Sequence, residues 1–465
     1  MGDDFLDMPY GEMEKLNLEA KRLREGSPGD AEAEHREWLG KQDGVKAVTV
    51  CFPDLEGRLH MLDYDKAWLL KHAGSLTFDG SSVRGFSEIG DSDLRLEVDW
   101  PAFWRLPADV FGSGKTLAFA AVRSHDGSPY PADFRGRLAA LAGDLAGRGL
   151  SVRAAMEIEG FLVEGRNAEQ EYASTGRFDP ASSRGYFHSL PGDDIRRFID
   201  AVARAQRAMG FENEKDHPEV APSQFELNWS HAEMRIAADQ SLLYKLVCRQ
   251  VADRMGMTAS FLPKPVAGIN GNGMHTNLSI RGEDGNLFAP ANPGEPLSER
   301  GMLFVRRLLA RAKEMCLVLN PSVNSYRRLD PAFEAPTSIG WSARDRSAMV
   351  RVPLASSAEG ARIEVRSVSP DASPHMLLHA LVSVGAPPDD AEPGLPQGTE
   401  LCGDIHEALG CFAMGDVLGP EEARKYAGLK RSQARRCPVE LGSLVKRGEV
   451  MFHHEVTNQS LWGEF

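Results

Sequence analysis

The sequence has few cysteines and no long apolar run. Its six cysteines, at positions 51, 248, 316, 402, 411 and 437, contain no C-x-x-C pair, which excludes a disulfide scaffold and predicts no clustered thiolate metal site. No apolar stretch approaches the roughly 18–20 residues that a membrane-spanning helix requires, and the acidic N-terminus lacks the apolar region of a signal peptide. We therefore expect free thiols, a reducing compartment and a cytoplasmic protein without a membrane anchor.

A surplus of positive charge is also missing. The chain has 53 Lys and Arg against 67 Asp and Glu, a formal charge of −14, so a phosphate backbone or an anionic membrane would repel most of its surface. We expect no nucleic-acid or membrane partner. With 465 residues, 42% of them hydrophobic, the chain can bury a large core. Its length predicts about two to four globular domains.

The order of strand-like and helix-like segments predicts two unequal parts. The charged residues 1–35 form an extension with one helix near 13–24. Strand-like runs at 46–52 and 117–122 are separated by loops rich in Gly, Asp, Ser and Pro, which indicates a small mixed domain ending near Pro131. Asp133 is a helix N-cap before an apolar repeat that ends at Gly147 and Gly149. A strand at 154–163 and helices at 193–210 and 237–255 follow, so we expect an α+β fold.

Residues 112–116, G-S-G-K-T, superficially match the end of a phosphate-binding P-loop. The first glycine of that motif falls on Asp109, whose carboxylate would repel the phosphates. We therefore interpret the segment as a surface turn before a strand.

Carboxylates recur at strand spacing in two segments. Alternation along a strand places Glu157 and Glu159 on one face, where two close carboxylates repel unless one is protonated or a cation lies between them. Residues 216–227 add Glu219 in a turn and then Glu226, which shares a strand face with Gln224. Each glutamate taken alone is better explained as a surface residue on a solvated strand face.

Two later segments carry polar stripes. The glycine-dense loop 268–273 leads into a strand on which His275, Asn277 and Ser279 share one face. In the segment 362–366, R-I-E-V-R, both arginines and the glutamate share a face, and more arginines precede it. A structural histidine and a strand-face salt bridge remain alternative explanations. The density of arginine near carboxylates favours recognition of phosphate or a substrate carboxylate.

Nine motifs in order give these segments a common interpretation. They are F-D-G-S-S at 78–82, E-I-E at 157–159, G-Y-F at 185–187, P-E-V-A-P-S-Q-F-E at 218–226, N-G-x-G-M-H at 270–275, N-S-Y-x-R-L at 324–329, E-A-P at 334–336, S-A-R-x-R-S at 342–347 and R-I-E-V-R at 362–366. Together they resemble glutamine synthetase of the bacterial and archaeal class I type, over residues 45 to 374. The resemblance implies an α+β fold with a small N-terminal β-grasp-like domain and a larger catalytic domain of antiparallel sheet and flanking helices. The corresponding ranges are 1–35 for the extension, 36–131 and 132–465.

The resemblance implies an ATP-dependent ligase that joins ammonia to the γ-carboxylate of L-glutamate through γ-glutamyl phosphate. It implies two or more Mg²⁺ ions per site, with Mn²⁺ as a possible substitute. The implied ligands of the first ion are Glu159, Glu219 and Glu226, and those of the second are Glu157, His275 and Glu364. Carboxylates with one imidazole suit hard cations of this kind.

The resemblance also assigns substrate contacts. The residues implied for ATP are Asn277, Ser279, Arg346, Arg351 and Arg362, and those for glutamate are Asn270, Gly271, Arg328 and Arg366. The ammonium pocket would comprise Asp79, Ser82, Tyr186 and Glu219. Within it Asp79 would act as the base, while Glu334 would close over the intermediate and Arg346 would act on the transferring phosphoryl group.

The resemblance also bears on assembly, and the sequence departs from the family at several positions. The family's architecture would place Asp79 in the site of a neighbouring subunit, so a homo-oligomer is expected, either a hexameric ring or a dodecamer. The C-terminal segment 437–462 differs from the family's usual helical tail, which leaves ring stacking open. His217-Pro218 replaces the family's usual pair of histidines, and Gly160 replaces an aromatic residue.

Three alternatives remain. A paralogue could use a polyamine, ethanolamine or methylamine, although the retained F-D-G-S-S motif favours ammonia. A catalytically silent regulatory homologue would have no reason to keep all six metal positions. An unrelated ATP-grasp ligase would need a glycine-rich loop and lysines that are not recognisable here.

Overall fold

The computed structural model of the protein describes residues 8–26, 28–87, 92–188, 193–292, 294–355, 357–388, 392–394, 396 and 398–435. The atypical segment 437–462 lies outside these residues, and so does Cys437. The five described cysteines are free thiols, as predicted. None of the helices in the described ranges combines the length and the apolar character needed to cross a bilayer.

The N-terminal extension is helical and joined to the body of the protein. It forms α1 (Tyr10–Gly26), which confirms the predicted helix, and α2 (Pro28–Gly40), which the sequence did not predict. The side-chain amide of Asn17 donates to the carbonyl of Arg105 at 3.0 Å and to that of Ala208 at 2.8 Å. The division at residues 35 and 131 stays a prediction, but α1 packs across both parts of the chain.

A five-stranded sheet follows the extension. It contains β1 (Ala47–Pro53), β2 (Leu59–Asp65), β3 (Leu76–Asp79), β4 (Asp93–Arg105) and β5 (Thr116–Arg123), in the order β2-β1-β5-β4-β3. Strands β1 and β5 are parallel, and the other neighbours are antiparallel. The short helices are α3 (Lys66–His72) and α4 (Ala108–Phe111). The predicted strands at 46–52 and 117–122 are thus confirmed, and residues 112–115 form the predicted turn.

A larger, mostly antiparallel sheet occupies the rest of the chain. Its strands are β6 (Ser151–Glu164), β7 (Asn213–Pro218), β8 (Gln224–Trp229), β9 (Ala232–Glu233), β10 (Met257–Ser260), β11 (Met274–Gly282), β12 (Gly285–Asn286), β13 (Ser338–Ser342), β14 (Ala348–Arg351) and β15 (Ile363–Val365). The main order is β13-β14-β15-β11-β6-β8-β7, with β9 and β10 paired to β6 and β12 paired to β11. Only β13 and β14 are parallel among the described strands of this sheet.

Helices flank this sheet. They are α5 (Phe134–Gly147), α6 (Ala168–Thr175), α7 (Asp194–Ala208), α8 (Met234–Arg254), α9 (Glu299–Ala310), α10 (Ala312–Leu319), α11 (Val323–Arg328), α12 (Pro374–Gly385), α13 (Ile405–Cys411), α14 (Gly415–Leu418) and α15 (Pro420–Ala434). Asp133 caps α5 by accepting the Gly136 amide at 3.0 Å, as predicted. Helix α8 begins three residues before its predicted start because Glu233 supplies an N-cap there.

Strand β6 separates the core from the site. Met156 and Ile158 are buried on the side covered by α5 and α8, where the Tyr244 hydroxyl donates to the Ile158 carbonyl at 3.1 Å. Glu157 and Glu159 point to the opposite face, as their alternation predicts. Because helices cover only the apolar face, the carboxylate face is left for a polar cavity.

Candidate functional site

A polar cavity of about 490 Å³ opens on the carboxylate face of the larger sheet. It brings together most of the residues singled out in the sequence. Those that line it are Glu157, Glu159, Tyr186, Glu219, Glu226, Asn270, Gly271, His275, Arg328, Glu334, Arg346, Arg351, Glu364 and Arg366. They come from segments up to about two hundred residues apart, so the fold, and not local sequence, assembles the cavity.

One cluster in the cavity contains Glu157, His275 and Glu364. The register pairs His275 with Glu157 across β11 and β6, and one ligand atom from each of the three residues lies within 4.8 Å of the others. His275 Nδ1 is 3.7 Å from a Glu157 oxygen and 3.9 Å from a Glu364 oxygen. Burial would raise the pKa of Glu157, but the nearby His275 and the hydrogen bond from Asn277 outweigh it and lower the pKa to about 2. Glu157 is therefore anionic.

A second cluster contains Glu219 and Glu226, as predicted, together with His217. One ligand atom from each of these three residues lies within 4.8 Å of the others. Glu159, the other predicted ligand, lies directly opposite Glu226 in the register of β6 and β8. One of its oxygens accepts the Gly273 amide at 2.7 Å, which orients it toward the glycine loop. His217 is thus a candidate that the sequence interpretation missed, although its spacing of two from Glu219 could have indicated it.

The electrostatics of the second cluster favour a cation. Burial raises the pKa of Glu226 well above its ordinary value, and the nearby Glu159, Glu157 and Glu219 carboxylates raise it further. Glu226 Oε1 and His217 Nε2 have no hydrogen-bond partner among the described residues. Unpartnered buried ligand atoms are rare in folded proteins and call for an explanation. Oxygen donors with one imidazole fit a hard divalent cation such as Mg²⁺ or Mn²⁺.

Arginines form the opposite wall of the cavity. Glu364 accepts a hydrogen bond from Arg351 at 2.9 Å and another from Arg366 at 2.5 Å. Burial lowers the pKa of Arg328 to about 10, which leaves it protonated at neutral pH. Arg328 Nη1 and Arg366 Nε are buried and have no hydrogen-bond partner in the described part of the chain. Two unused guanidinium donors of this kind match an anionic ligand, a carboxylate above all.

A second cavity, of about 220 Å³, adjoins the first. Its lining includes the predicted nucleotide contacts Asn277, Ser279 and Arg362, and Glu157 lines both cavities. Arg362 Nε donates to Asn277 Oδ1 at 2.9 Å, and Asn277 in turn donates to Glu157 at 2.9 Å. The shared glutamate places the two cavities side by side.

Close packing explains why positions 160 and 273 are occupied by glycine. A Cβ atom at Gly273 would lie 2.8 Å from His275 Nε2 and 2.9 Å from an Arg328 nitrogen, so a side chain there would displace both groups. A Cβ atom at Gly160 would lie 2.6 Å from the ring of Phe225. The aromatic residue absent at position 160 is thus replaced by Phe225, which fills that space from the neighbouring strand.

Asp79 and Ser82 are not part of either cavity within the described chain. They lie on an exposed turn after β3, where the Ser81 and Ser82 hydroxyls donate to the Asp79 carboxylate at 2.6 and 2.7 Å. These hydrogen bonds lower the pKa of Asp79 below its ordinary value. A single chain therefore brings together the predicted metal, ATP and glutamate residues, but not the full predicted ammonium pocket.

Two lysines near the cavity were also missed. Lys215 lines it beside Glu157, and its spacing of two from His217 was the available signal. Lys264 is buried, with its ammonium 3.6 Å from the ring centre of Phe333, another lining residue. Burial lowers the pKa of Lys264 to about 8. No sequence pattern predicts that contact, because 69 positions separate the two residues.

Comparisons with known proteins find relatives over most of the chain. The sequence model of the glutamine synthetase catalytic domain matches residues 131–434. The glutamine synthetase of Thermus thermophilus is 35% identical over 405 residues, which cover 81% of this chain and 89% of that protein. The enzyme of Halobacterium salinarum is 38% identical over 383 residues, covering 77% and 82% of the two chains.

Solved structures show the same fold. A "GmaS/ADP complex" structure is 26% identical to this chain, with a TM-score of 0.73, and covers 85% of this chain and 94% of its own. A Plasmodium falciparum glutamine synthetase gives a TM-score of 0.76 at 20% identity, covering 87% and 96%, and so supports the fold alone.

Proposed function

Because the chain belongs to the glutamine synthetase family and is an ATP-dependent ligase, we propose that it joins ammonia to the γ-carboxylate of L-glutamate. ATP would be converted to ADP and phosphate. One observation carries the proposal: carboxylate and imidazole ligand atoms share one cavity with two guanidinium groups, each of which has a buried nitrogen without a hydrogen-bond partner among the described residues. Such a site can hold an anionic phosphoryl group and an anionic substrate side by side.

The two clusters would hold two divalent cations. Glu157, His275 and Glu364 would bind one, and Glu219 and Glu226, with Glu159 from the facing strand and His217 beside them, would bind the other. Mg²⁺ is the expected ion and Mn²⁺ a plausible substitute. When bound, such ions neutralise negative charge on a transferring phosphoryl group.

The two cavities would divide the substrates. ATP would occupy the smaller cavity against Asn277, Ser279 and Arg362, with its phosphates directed toward Arg346 and Arg351 in the larger one. Glutamate would bind through the free donors of Arg328 and Arg366, next to the loop at Asn270 and Gly271. The arginines fix the orientation of the carboxylates through paired hydrogen bonds.

In the first step an oxygen of the glutamate γ-carboxylate would attack the γ-phosphorus of ATP. The bond from that phosphorus to the β,γ-bridging oxygen would break, releasing ADP and leaving γ-glutamyl phosphate. Arg346 and Arg351 would offset the charge on the phosphoryl oxygens. These arginines can stabilise the transferring group only if they are held in position before the reaction. The hydrogen bond from Arg351 to Glu364 already holds one of them.

In the second step ammonium would lose a proton to a carboxylate, and ammonia would attack the acyl carbon and expel phosphate. Asp79 is the proposed base, with Ser82, Tyr186 and Glu219 completing the pocket. Glu334 lies at the cavity edge, where it accepts a hydrogen bond from Asn270 at 3.4 Å. Its proposed role is to close over the acyl phosphate and exclude water.

The position of Asp79 supports an oligomer. Since this residue is exposed and lines neither described cavity, the pocket needs Asp79 and Ser82 from another copy of the chain. We therefore propose a homo-oligomer with active sites between subunits, a hexameric ring or two such rings stacked. Native mass spectrometry distinguishes six subunits from twelve.

One observation favours a second candidate function, ligation of a larger amine. The rings of Tyr186 and Phe187 stack at 3.7 Å, are 51% and 59% exposed, and stand edge-on to His217. Tyr186 and Glu219 both line the cavity. An aromatic pair next to a carboxylate can bind an alkylammonium group. Methylamine, ethanolamine and polyamines are therefore the competing substrates.

A substrate panel tests both candidates. Purified protein is supplied with ATP, Mg²⁺, glutamate and one amine at a time, and the amide product is identified by mass spectrometry. We expect the highest kcat/KM with ammonium. Turnover with an alkylamine but none with ammonium would replace the first candidate by the second, and no turnover with any amine would favour a regulatory homologue. Glu364→Gln should abolish turnover, whereas Glu299→Gln, on an 84% exposed side chain, should not.

A further inference from the structure

Three cysteines that are distant in sequence meet in the fold. Cys316 lies on α10, Cys402 precedes α13, and Cys411 is the last residue of α13. The Cys402 thiol lies near both the Cys316 thiol and the Cys411 thiol, and it donates to the Lys313 carbonyl at 3.9 Å. None of the three lines the two cavities of the proposed active site. The sequence predicted no thiol cluster, because the fold alone creates this one.

A carboxylate completes the cluster. Glu407 precedes Cys411 by one helical turn, and an oxygen of Glu407 and the sulfurs of Cys402 and Cys411 all lie within 4.8 Å of one another. In a tetrahedral zinc site with bonds of about 2.0–2.3 Å, neighbouring ligand atoms lie about 3.3–3.8 Å apart. A small inward movement of three side chains would therefore bring these atoms to the spacing of metal ligands.

Glu407 is already anionic and held in place. Lys313 Nζ donates to one of its oxygens at 2.8 Å, and the Gly403 amide donates to the other at 2.8 Å. A carboxylate accepts at about four lone-pair sites, so both donors can stay while the group also binds a cation. Two thiolates and one carboxylate balance one divalent cation and the Lys313 ammonium, which leaves the group without net charge.

We propose that Cys402, Cys411 and Glu407 bind a thiophilic divalent cation, Zn²⁺ above all, with the Cys316 thiol next to the Cys402 sulfur behind them. Sulfur ligands select zinc over Mg²⁺, so this site would not compete for the ions of the carboxylate cavity. Cys411 and Glu407 are partly exposed and give an ion access, while Cys316 and Cys402 are buried.

The site connects to the proposed active site through a strand. The segment before Cys402 pairs with β13: the Ile339 amide donates to the Thr399 carbonyl and the Leu401 amide to the Thr337 carbonyl, both at 2.8 Å. Thr337 follows Glu334, which lines the larger cavity, by three residues. A bound ion would hold this segment against β13, and Zn²⁺ should therefore slow hydrogen exchange at the amides of Ile339 and Leu401.

Cobalt substitution tests the proposal without relying on enzyme activity. The full-length protein is reduced, stripped of metal with a chelator and titrated with Co²⁺. We expect thiolate-to-cobalt charge-transfer absorption that saturates at one ion per chain and disappears when Zn²⁺ is added. The carboxylate cavity has no thiol in its lining and cannot produce this absorption, so Glu364→Gln should keep it.

Variants locate the ligands. Cys411→Ala, at a partly exposed position, should remove the absorption, and Cys316→Ala should weaken Co²⁺ binding about 10–100-fold. If Cys411→Ala does not fold, Glu407→Gln is the second variant, because it keeps the shape of the side chain. It should also weaken Co²⁺ binding. Cys248→Ala, buried elsewhere, should leave the absorption unchanged.

Three outcomes would overturn the proposal. They are the absence of the charge-transfer absorption in the reduced wild-type protein, its persistence in Cys411→Ala, and a Cys402–Cys411 disulfide found by mass spectrometry in protein that was never treated with an oxidant.

Discussion

Glu159 and Glu226 lie directly opposite each other on the antiparallel strands β6 and β8, at the floor of the cavity. Burial raises the pKa of both carboxyl groups above the ordinary value, and mutual repulsion raises that of Glu226 further. Glu226 is buried and one of its oxygens has no hydrogen-bond partner in the described structure. This pair is better satisfied by a shared cation than by protons.

Divalent cations should therefore stabilise the protein through Glu226. At a Mn²⁺ concentration of 100 times the Kd, an ion bound at the cluster that contains Glu226 should raise the free energy of unfolding by about 2.7 kcal/mol. Glu226→Gln keeps the side-chain shape but removes an anionic ligand, and should lose most of this gain. The measurement is thermal unfolding with and without Mn²⁺, and the exposed Glu299→Gln serves as the control. An unchanged Mn²⁺ response in Glu226→Gln would contradict the assignment.

Replacing one arginine in each cavity should change the KM for a different substrate. Arg366→Lys removes the free Nε donor in the larger cavity, and the KM for glutamate should rise about tenfold, or about 1.4 kcal/mol, with little change for ATP. Arg362→Lys removes the hydrogen bond to Asn277 in the smaller cavity and should raise the KM for ATP instead. Steady-state kinetics with each substrate varied in turn gives both values. If both variants affected the same substrate, the division of the cavities would be wrong.

Asp79 should act in a neighbouring subunit. Asp79→Ala should lower kcat by about 100-fold or more. The control is Asp126→Ala, which should leave kcat unchanged. Asp126 also lies on an exposed turn, and both carboxylates accept a backbone amide. Mixing subunits decides where Asp79 acts. In random oligomers of Asp79→Ala and Glu364→Gln chains, about a quarter of the sites would combine an intact Glu364 with an intact neighbouring Asp79. Activity of mixed oligomers no higher than that of either variant alone would rule out the shared site.

The ion pairs of Asp239 should contribute most of the free energy that holds helix α1 against the rest of the protein. This fully buried carboxylate binds Arg24 of α1 at 2.6 Å, Arg135 at 2.9 Å and His375 at 2.8 Å. Asp239→Asn would leave buried charges unpaired, and we expect a loss of about 3–5 kcal/mol in the free energy of unfolding. Asp253→Asn, in an exposed ion pair at the end of α8, should lose less than about 1 kcal/mol. Chemical denaturation measures both, and equal losses would contradict the argument.

The pH dependence of stability should reveal Lys264. Burial lowers its folded pKa to about 8, against 10.5 as the ordinary value, so above pH 8 the unfolded chain binds more protons than the folded one. Stability contributed by this group should therefore rise with pH between about 8 and 10.5. The difference in unfolding free energy between the wild type and Lys264→Met should change across this window. A difference that stays constant with pH would show that Lys264 has an ordinary pKa.

Much of the local structure follows from sequence patterns. Asp133 and Asp193 cap the helices that they were expected to begin, because a side-chain carboxylate satisfies free amides wherever the chain enters a helix. Alternation placed Glu157 and Glu159 on one face of β6, and His275 and Asn277 lie on one strand for the same reason. Patterns of this kind depend only on neighbours along the chain.

The sequence by itself determined which side chains share a face, where helices begin and, through nine ordered motifs, the family. The tertiary structure alone decided which faces meet. It joined Arg24 to Asp239, left Asp79 outside the cavity of its own chain and brought three cysteines together. The physical reason is that strand register and helix packing are set by burying the whole core at once, and no local pattern encodes a contact between residues a hundred positions apart.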